Sequence, residues 1–433
     1  MILSCQNISK SFGTTEVLKN ASFHIEAHEK AALIGINGAG KSTMLKIIMR
    51  DMSADEGEIV LAKDTSIGYL SQHQDIKGAR SIYEEVLSAR QNLIEMEAKI
   101  RSLETQMKNA SQRKLEKLMA EYTRLNQSFE MHNGYAYRSE VTGVLKGLGF
   151  EESEFTKLVS TLSGGQKTRV ALGKLLITKP DIILLDEPTN HLDMASINWL
   201  ETYLINYPGA VLIVSHDRYF LDRVATRIVE LVNGQFYSYQ GGYSDFIVAK
   251  AEREHAEDEE ESRRQSFLRS EVEWVRRSPK ARLKRNMGRV KRFDAIADSD
   301  APARDRDINL IIPPASRLGN KTVELKNISL AFGDNVLFSD FNHEFIPGSR
   351  TGIVGPNGCG KTSLLKLITG QLQPSSGTIE TAATIQFNYI DQNRITLNLQ
   401  NTVFEEIGEG NQTTQVGDQR ISVWTYLNRF LFS

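Results

Sequence analysis

The sequence predicts an α/β fold that is repeated along one chain. A glycine-rich segment at residues 35–42 returns 320 positions later at residues 355–362. Short apolar runs of four or five residues, bounded by glycine, proline and acidic residues, alternate with helical patterns. Such runs are typical of strands buried on both faces of a parallel sheet. Two related α/β domains in tandem are therefore expected.

The repeat extends well beyond the glycine-rich segments. At the same offset of 320 positions, Asn7-Ile8-Ser9 matches Asn327-Ile328-Ser329. The register is also kept by Phe12 with Phe332, Gly57 with Gly377, and Gln72 with Gln392. Chance does not preserve a register over more than 60 residues, so we interpret the chain as a duplicated domain.

Composition limits the class of protein. The chain has 433 residues, 40% of them apolar, so each domain can bury a core. The formal net charge of -2 predicts no general attraction to polyanions. The two cysteines, Cys5 and Cys359, have no metal-ligand spacing, which favours a reducing compartment and the cytoplasm. No apolar run approaches the ~20 residues that cross a bilayer, and the amino terminus lacks a signal-peptide pattern.

Three apolar runs in the first repeat predict strands of one sheet. They cover residues 31–34, 182–185 and 210–214. The first run leads directly into the glycine-rich segment, and a helical pattern follows that segment. This is the strand, loop and helix setting of a phosphate-binding loop.

Both glycine-rich segments have the form of such a loop. Their glycines allow backbone N–H groups to turn inward around phosphates at a helix amino terminus, where the helix dipole also favours anions. Lys41 is predicted to neutralise the β- and γ-phosphate oxygens of ATP, and Ser42 to ligate Mg²⁺, with Thr362 in the same role in the second loop. The predicted nucleotide-binding residues are Gly35, Asn37, Gly38, Gly40, Lys41, Ser42 and Thr43 in the first loop, and Gly355, Asn357, Gly358, Gly360, Lys361, Thr362 and Ser363 in the second.

An acidic pair follows the second apolar run. The four residues at 182–185 place Asp186 at the end of a buried strand, where its carboxylate can support Mg²⁺. Glu187 comes next and is predicted to orient or deprotonate the attacking water. The pair could instead be an ordinary loop start, but the phosphate-binding loop upstream favours the catalytic interpretation.

A second glycine-rich helix start narrows the class of ATPase. Residues 162–166 read Leu-Ser-Gly-Gly-Gln, and small residues before the helical stretch 167–177 predict another anion-binding helix terminus. Together with the loop at 35–42, the pair Asp186-Glu187 and the run Ser215-His216-Asp217, these motifs resemble, in their order, the ATP-binding-cassette ATPases.

This resemblance implies further site residues. It implies that Phe12 stacks on adenine, that Gln72 contacts Mg²⁺ and the lytic water, and that His216 holds the γ-phosphate. The predicted catalytic residues are thus Glu187, His216 and Gln72. In the second repeat, Phe332 is the equivalent of Phe12, and Gln392 that of Gln72. The resemblance also implies that the helix start at 162–166, called the signature, contacts nucleotide across the cassette interface through Ser163, Gly164, Gly165 and Gln166. Asp193 would lie in the D-loop. For Phe12 a plain core position is the alternative.

Residues 88–133 have a different pattern. Apolar residues fall at positions 93, 96, 100, 103 and 107, and again at 115, 118, 122, 125 and 129. This spacing predicts two heptad helices joined by a turn at 109–111, which form an antiparallel hairpin. The narrow apolar seam favours a projecting arm over a subdomain packed into the core.

Charge is sorted into blocks between the repeats. Residues 252–261 hold seven acidic residues and one arginine, whereas residues 263–292 hold twelve Lys or Arg against two Glu. The basic block also carries Phe267, Trp274 and Phe293. A solvated helical linker is the alternative interpretation, but the local surplus of positive charge favours contact with a phosphate backbone.

The tandem cassettes, the arm, the charged linker and the run from Glu187 to Asp193 resemble the ABC-F family. The stretch from Glu273 to Val290 is similar to the Uup subgroup. The resemblance implies a cytoplasmic ATPase that binds the ribosome at its exit site, with the linker toward the peptidyl-tRNA and the arm toward the ribosomal surface. A DNA-binding maintenance ATPase remains open because charge alone does not separate DNA from rRNA or tRNA. A transporter ATPase subunit is disfavoured by the arm and linker, and no permease is evident.

The predicted organisation is a first cassette at residues 1–248, a linker at 249–318 and the amino-terminal part of a second cassette at 319–433. By the resemblance, cassettes close head to tail around two ATP molecules. The second copies of the signature (residues 162–166) and of the strand with its acidic pair (residues 182–187, the Walker B motif) are expected beyond Ser433. Neither composite site would then be complete within this chain, and little hydrolysis is expected from it alone.

Overall fold

A computed structural model describes residues 1–71, 79–108, 112–277, 322–333, 335–382, 385, 387–390, 398, 400–408, 410–416, 419–430 and 432. The chain divides into two compact units, Met1–Asp305 and Arg306–Ser433. Each unit contains one of the two glycine-rich loops, as the duplicated sequence predicts.

The first unit contains most of the regular structure. Its strands are β1 Leu3–Phe12, β2 Thr15–Ile25, β3 Lys30–Ile34, β4 Glu56–Leu61, β5 Ile67–Leu70, β6 Ile182–Asp186, β7 Ala210–Val214, β8 Arg227–Val232 and β9 Gln235–Gln240. Its helices are α1 Lys41–Ile48, α2 Ile82–Leu87, α3 Gln91–Lys108, α4 Gln112–Met131, α5 Tyr137–Gly147, α6 Gly164–Thr178, α7 Met194–Ile205, α8 Arg218–Val224 and α9 Tyr243–Arg277.

A six-stranded sheet forms the centre of this unit, in the order β5-β6-β7-β3-β8-β9. All neighbouring strands are parallel except β8 and β9. The three apolar runs at 31–34, 182–185 and 210–214 lie in β3, β6 and β7, which confirms the parallel sheet predicted from them. The phosphate-binding loop and the acidic pair both follow carboxyl ends of these parallel strands.

The sheet is buried on both faces because its strands alternate between two cores. In β6, Ile183 and Leu185 point into one apolar cluster, whereas Ile182 and Leu184 point into the other. Successive side chains of a strand face opposite sides, so an unbroken apolar run is required where both sides are covered. Truncation of one such residue to alanine costs about 2–5 kcal/mol. The apolar run therefore holds β6 in one register, with Asp186 at its carboxyl end.

A second, antiparallel sheet of order β2-β1-β4 packs near the edge strand β9. Sequence analysis did not predict this sheet. Its strands are irregular: the pairing of β1 with β2 and with β4 shifts register at several points, which obscures a two-residue alternation. Asn7 lies at one of these irregularities with φ of 51°.

The glycine shared by both repeats has a steric role in this sheet. A Cβ at Gly57 would lie 2.4 Å from the Asn7 carbonyl oxygen. In the second unit, a Cβ at Gly377 would lie 2.3 Å from the carbonyl oxygen of Asn327, whose φ is 50°. The duplicated Asn and Gly positions are therefore explained by close contact of two backbones.

Helices α3 and α4 form the hairpin that the apolar spacing predicts. Leu103 of α3 and Leu118 of α4 are buried, and the Lys99 ammonium lies 2.8 Å from a Glu121 carboxylate oxygen. Consecutive helices that pack together across a three-residue connection run antiparallel. The connection itself, residues 109–111, lies outside the described residues.

The hairpin has its own apolar cluster at its base. Leu93 of α3, Phe129 of α4 and Tyr137 of α5 are all buried in this cluster, which is separate from the two cores of the sheet. The Tyr137 hydroxyl donates to a Glu97 carboxylate oxygen at 2.6 Å, and the Arg138 guanidinium donates to the same oxygen at 3.0 Å. The base of the hairpin is thus fixed to α5 by apolar contact and by charge-assisted hydrogen bonds.

Helix α9 begins at Tyr243, within the span predicted for the first cassette, and continues into the predicted linker. It carries the acidic block at 252–261. The basic block continues beyond Arg277, where residues 278–321 lie outside the described part of the chain. No helix in the described residues combines the length and the apolar character needed to cross a bilayer.

The second unit repeats part of the start of the first, but residues 350–354, at the position of β3, do not form a strand. Its strands are β10 Val323–Phe332, β11 Asn335–Glu344, β12 Ser376–Thr381, β13 Thr413–Val416 and β14 Gln419–Ser422, and its helices are α10 Lys361–Ile368, α11 Val403–Gly408 and α12 Val423–Asn428. The sheet order β11-β10-β12 corresponds strand for strand to β2-β1-β4. Helix α10 follows the second glycine-rich loop as α1 follows the first.

The outer part of the hairpin is predicted to be dispensable for folding. Deleting residues 102–119 and joining the ends with a short Gly-Ser connection should leave the thermal midpoint and ATP affinity of the chain nearly unchanged, because the buried residues Leu103 and Leu118 are removed together and the base cluster of Leu93, Phe129 and Tyr137 is kept. Differential scanning calorimetry and nucleotide titration measure both quantities.

A base variant provides the control for this deletion. Tyr137→Ala leaves the hairpin intact but removes a buried ring from the base cluster, and should destabilise by about 3 kcal/mol or more. An insoluble deletion protein, or one that no longer binds ATP, would show that the outer hairpin belongs to the folding core.

Candidate nucleotide-binding and catalytic site

The first glycine-rich loop connects β3 directly to α1. Gly40 has φ of 109° and caps α1, which begins at Lys41. Gly35 has φ of 155°, and a Cβ there would lie 2.7 Å from the Leu231 carbonyl oxygen of β8. Only glycine permits this conformation and this contact. The loop is therefore held against β8 at its start and opens onto a helix amino terminus at its end, which favours an anion.

Lys41 lies inside the loop. Its ammonium donates to the carbonyl oxygens of Gly35 at 2.7 Å and Ile36 at 3.0 Å. Burial lowers the pKa of Lys41, and the nearby carboxylates of Glu187 and Asp186 act in the opposite direction. In the second loop the Lys361 ammonium donates in the same way to the carbonyl oxygens at positions 355 and 356, both at 2.7 Å.

The loop and the acidic pair meet through a direct hydrogen bond. The Ser42 hydroxyl donates to a carboxylate oxygen of Asp186 at 3.0 Å. Asp186 is buried at the end of β6, and desolvation raises its pKa, while the bond from Ser42 and the charge of Lys41 lower it. A hydroxyl and a carboxylate oxygen are hard ligands of the kind that Mg²⁺ prefers beside phosphate oxygens, so this pair fits a magnesium ion.

Glu187 has a left-handed backbone, with φ of 53°. Its N–H donates to the Val214 carbonyl oxygen of β7 at 2.8 Å. Its carboxylate accepts from the His216 backbone N–H at 3.4 Å and lies 3.6 Å from the His216 ring Nε2. Desolvation raises the pKa of Glu187, opposed chiefly by His216. A strained, half-buried carboxylate of this kind is typical of an active site.

The position of His216 is fixed by the elements on either side. It follows Ser215, the residue after β7, and Asp217 caps α8 by accepting from the backbone N–H groups of Tyr219 and Phe220, both at 3.1 Å. The Ser215 hydroxyl lies 3.5 Å from that of Thr189, in the turn after Glu187. His216 is thus placed beside the acidic pair by the neighbouring strands β6 and β7.

The signature residues lie at the start of α6. Ser163 caps the helix and forms a capping box with Gln166, in which each side chain bonds the other's backbone N–H, at 3.3 and 3.1 Å. A Cβ at Gly165 would lie 3.1 Å from the side chain of His191. Sequence analysis did not assign a role to His191 or to Leu231, because their contacts come from other elements and leave no local pattern.

The remaining predicted residues lie at strand ends, in the two loops and outside the described residues. Phe12 and Phe332 lie at the ends of equivalent strands, and both rings are about half exposed, so neither occupies a core position. Asn37 and Thr43, with Gly38, belong to the first loop and its helix, and Asn357, Gly358, Gly360, Thr362 and Ser363 occupy the matching positions of the second. Gln72 and Gln392 lie outside the described residues.

Five predicted residues therefore come together in one site: Lys41, Ser42, Asp186, Glu187 and His216. A cation within a phosphate loop, a hydroxyl-carboxylate pair and a second carboxylate beside an imidazole are the groups needed for phosphoryl transfer to water. The fold and site define an ATPase of the ATP-binding-cassette class.

Comparison with known proteins agrees with this class. A family model described as "ABC transporter" matches residues 18–190 and 338–430, and a second of the same description matches residues 229–310. The chain belongs to the ABC-F family of ATP-binding-cassette ATPases.

Three relatives illustrate the likeness. YfmR of Bacillus subtilis, an uncharacterized ABC transporter ATP-binding protein, is 37% identical over 100% of this chain and 68% of its own length. The energy-dependent translational throttle protein EttA of Escherichia coli K12 is 35% identical over 96% of this chain and 74% of its own. The ATP-binding protein Uup of Haemophilus influenzae is 34% identical over 100% of this chain and 66% of its own, and it represents the subgroup that sequence analysis named.

Glu187→Gln is predicted to retain ATP binding and to slow hydrolysis by about 10²- to 10⁴-fold, because the metal and phosphate ligands remain while the group that accepts the proton is lost. The variant is best made in a form of the protein that hydrolyses ATP readily. Single-turnover hydrolysis then measures the chemical step, and nucleotide titration measures ATP binding. Unchanged turnover would remove Glu187 from the catalytic role.

The same substitution is predicted to stabilise the protein without nucleotide or metal. Because burial raises the pKa of Glu187, the folded state loses stability as pH rises through the interval above the ordinary value of 4.5. Glu187→Gln abolishes this loss, so its gain in thermal midpoint should grow as pH rises above 4.5 and level off once the wild-type carboxyl is ionised. Thermal unfolding in a chelator measures it.

Glu84→Gln is the matched control of opposite sign. Hydrogen bonds from the backbone and hydroxyl of Ser81 lower the pKa of Glu84, so its ionised form stabilises the fold and the amide should gain nothing as pH rises. A gain that does not depend on pH in Glu187→Gln would contradict the assigned burial effect.

Proposed function

We propose that the chain is part of an ATPase that binds the ribosome and couples its ATP state to the time it remains bound. One observation carries this proposal: the likeness over 96% of the chain to a relative whose name describes an energy-dependent translational throttle. The site supports the ATPase half of the proposal, and the hairpin and linker supply surfaces for the partner. The cytoplasm is the compartment that this function requires.

In the proposed reaction Glu187 accepts a proton from water as the water oxygen attacks the γ-phosphorus. The bond from that phosphorus to the bridging oxygen of ADP breaks, which gives ADP and phosphate. Lys41 would exchange its carbonyl contacts at 35 and 36 for phosphate oxygens, and His216 would contact the γ-phosphate. The raised pKa of Glu187 makes its carboxylate a stronger base than that of an exposed glutamate.

Ser42 and Asp186 would hold Mg²⁺, which when bound neutralises phosphate charge. Gln72 is proposed to contact the metal and the water, and Gln392 and Thr362 to act in the same way in the second cassette. Phe12 and Phe332 are proposed to stack on adenine, which their half-exposed rings permit. Residues 163–166 and the second loop at 355–362 are proposed to bind nucleotide as well.

The basic block at 263–292 is proposed to contact rRNA and peptidyl-tRNA in the exit site, and the α3–α4 hairpin to contact the ribosomal surface. Helix α9 leads from the first cassette into the first part of this block and is described as far as Arg277. Phosphate contacts made by Lys and Arg position a protein without reading sequence. DNA is therefore the competing partner, and crosslinking identifies which is bound.

The function is tested by ribosome binding of the Glu187→Gln chain, which should cosediment with ribosomes in ATP and release them in ADP. Neutralising Arg276, Arg277, Lys280, Arg282, Lys284 and Arg285 with glutamine should make log affinity fall less steeply with log salt, by up to roughly 0.7 to 0.9 per lost phosphate contact.

Replacement of Glu259, Glu260 and Glu261 by glutamine is the control, because it changes the charge of the same linker without removing a cation. It should leave the slope of log affinity against log salt unchanged. Crosslinks from residues 276–292 to DNA and none to RNA would replace the ribosome by DNA as partner. An unaltered slope in the neutralised chain would show that the basic block is a solvated surface.

A further inference from the structure

The first turns of α9 are fixed to the first unit by a buried ionic cluster. Glu230 of β8 is 3% exposed. The Lys250 ammonium of α9 lies 2.6 Å from one of its carboxylate oxygens, and the Arg253 guanidinium lies 3.3 Å from the other. The Tyr239 hydroxyl of β9 donates to the Glu230 carboxylate at 3.2 Å. We call Glu230, Tyr239, Lys250 and Arg253 the helix anchor.

Aromatic rings surround the two cations of the helix anchor. The Arg253 guanidinium lies 4.2 Å from the centroid of the Tyr237 ring, and the Lys250 ammonium lies 5.8 Å from that of Phe246. Phe246 is buried and contacts the Tyr239 ring edge to face, at 5.1 Å. Buried charge is costly unless it is paired, so the anchor holds α9 in one position relative to β8.

The helix anchor lies next to the phosphate-binding loop. In the parallel pairing of β3 with β8, Ile34 is opposite Glu230. The next residue, Leu231, has the carbonyl oxygen that a Cβ at Gly35 would approach to 2.7 Å. Displacement of β8 at this point cannot occur without displacement of the loop, because the backbones are already in close contact.

A second connection reaches α9 from the other side of the site. His216 precedes α8, and at the far end of α8 the Asp222 carboxylate accepts from the Ser244 backbone N–H at 2.7 Å. The Arg218 guanidinium, in the first turn of α8, lies 5.7 Å from the centroid of the Tyr243 ring. The start of α9 is thus bonded to β8, which contacts the loop, and to α8, which follows His216.

We propose that Glu230 is a positioning residue that couples occupancy of the first ATP site to the position of α9, and through α9 to the linker. The proposal rests on the proposed function in one respect, that residues 35–42 bind ATP. Contacts of Lys41 and His216 with phosphates would shift the loop and α8, and both shifts reach the base of α9. The helix anchor makes α9 follow β8 instead of moving independently.

Hydrogen–deuterium exchange on the full chain, without ribosomes, tests this coupling. In the wild-type chain, Mg²⁺ with a non-hydrolysable ATP analogue should slow amide exchange in residues 35–48 and change exchange in residues 243–256 by about threefold or more. In Glu230→Gln/Lys250→Gln, the response at 35–48 should remain and the response at 243–256 should be reduced, because the contact of Asp222 with Ser244 is kept. The double variant removes the ion pair while keeping volume and hydrogen-bonding groups.

Glu254→Gln is the matched control, because Glu254 is an exposed carboxylate 3.7 Å from Lys250 on the same helix. It should respond as wild type in both segments. Glu230→Asp, which keeps the charge, should restore part of the response at 243–256, whereas an effect of lost packing alone would not be rescued by a shorter side chain.

Three results would overturn the coupling. One is a wild-type chain whose loop responds to the analogue while residues 243–256 do not. Another is a full response at 243–256 in the double variant. The third is no response at 35–48 in wild type, which would also remove the ATP site from the proposed function. Failure to cosediment with ribosomes, by contrast, would contradict the proposed partner and leave the coupling result intact.

Discussion

The double burial of β6 is the constraint on which the site depends. Its four apolar residues alternate between two cores, and the first position that carries a charge is Asp186 at the carboxyl end. Strand β7, beside β6, and strand β3, beside β7, end at the same edge, which places Lys41, Ser42 and His216 within reach of the acidic pair. A shift of β6 by one residue would exchange its two faces and turn the carboxylate away from the loop.

The electrostatics of the site show a balance between folding and chemistry. Burial raises the pKa values of Asp186 and Glu187 and lowers that of Lys41, so each group is less stable in its charged form than it would be in water. Mutual attraction and the hydrogen bond from Ser42 offset part of this cost. Such groups suit a ligand that adds both a negative phosphate and a positive metal ion. Without that ligand they lower the free energy of unfolding of the protein.

Sequence analysis predicted the parts of the structure that are encoded locally. The runs in β3, β6 and β7 and the heptads of α3 and α4 were identified because burial imposes a period on neighbouring residues. The loop and acidic pair were found from residue type and order. The sheet of β1, β2 and β4 was missed because register shifts interrupt its alternation. Contacts such as Glu230 with Lys250, and Gly165 with His191, join distant segments and have no signal in a single sequence.

The close backbone contact shared by the two repeats has a consequence for exchange of parts between them. In each unit, an asparagine with a left-handed backbone on one strand requires a glycine on the strand beside it, at Asn7 with Gly57 and at Asn327 with Gly377. The requirement is satisfied inside each three-stranded sheet. If β1 and β4 together replaced β10 and β12, they would carry their steric match with them. The sheet is therefore a module that recombination can move intact.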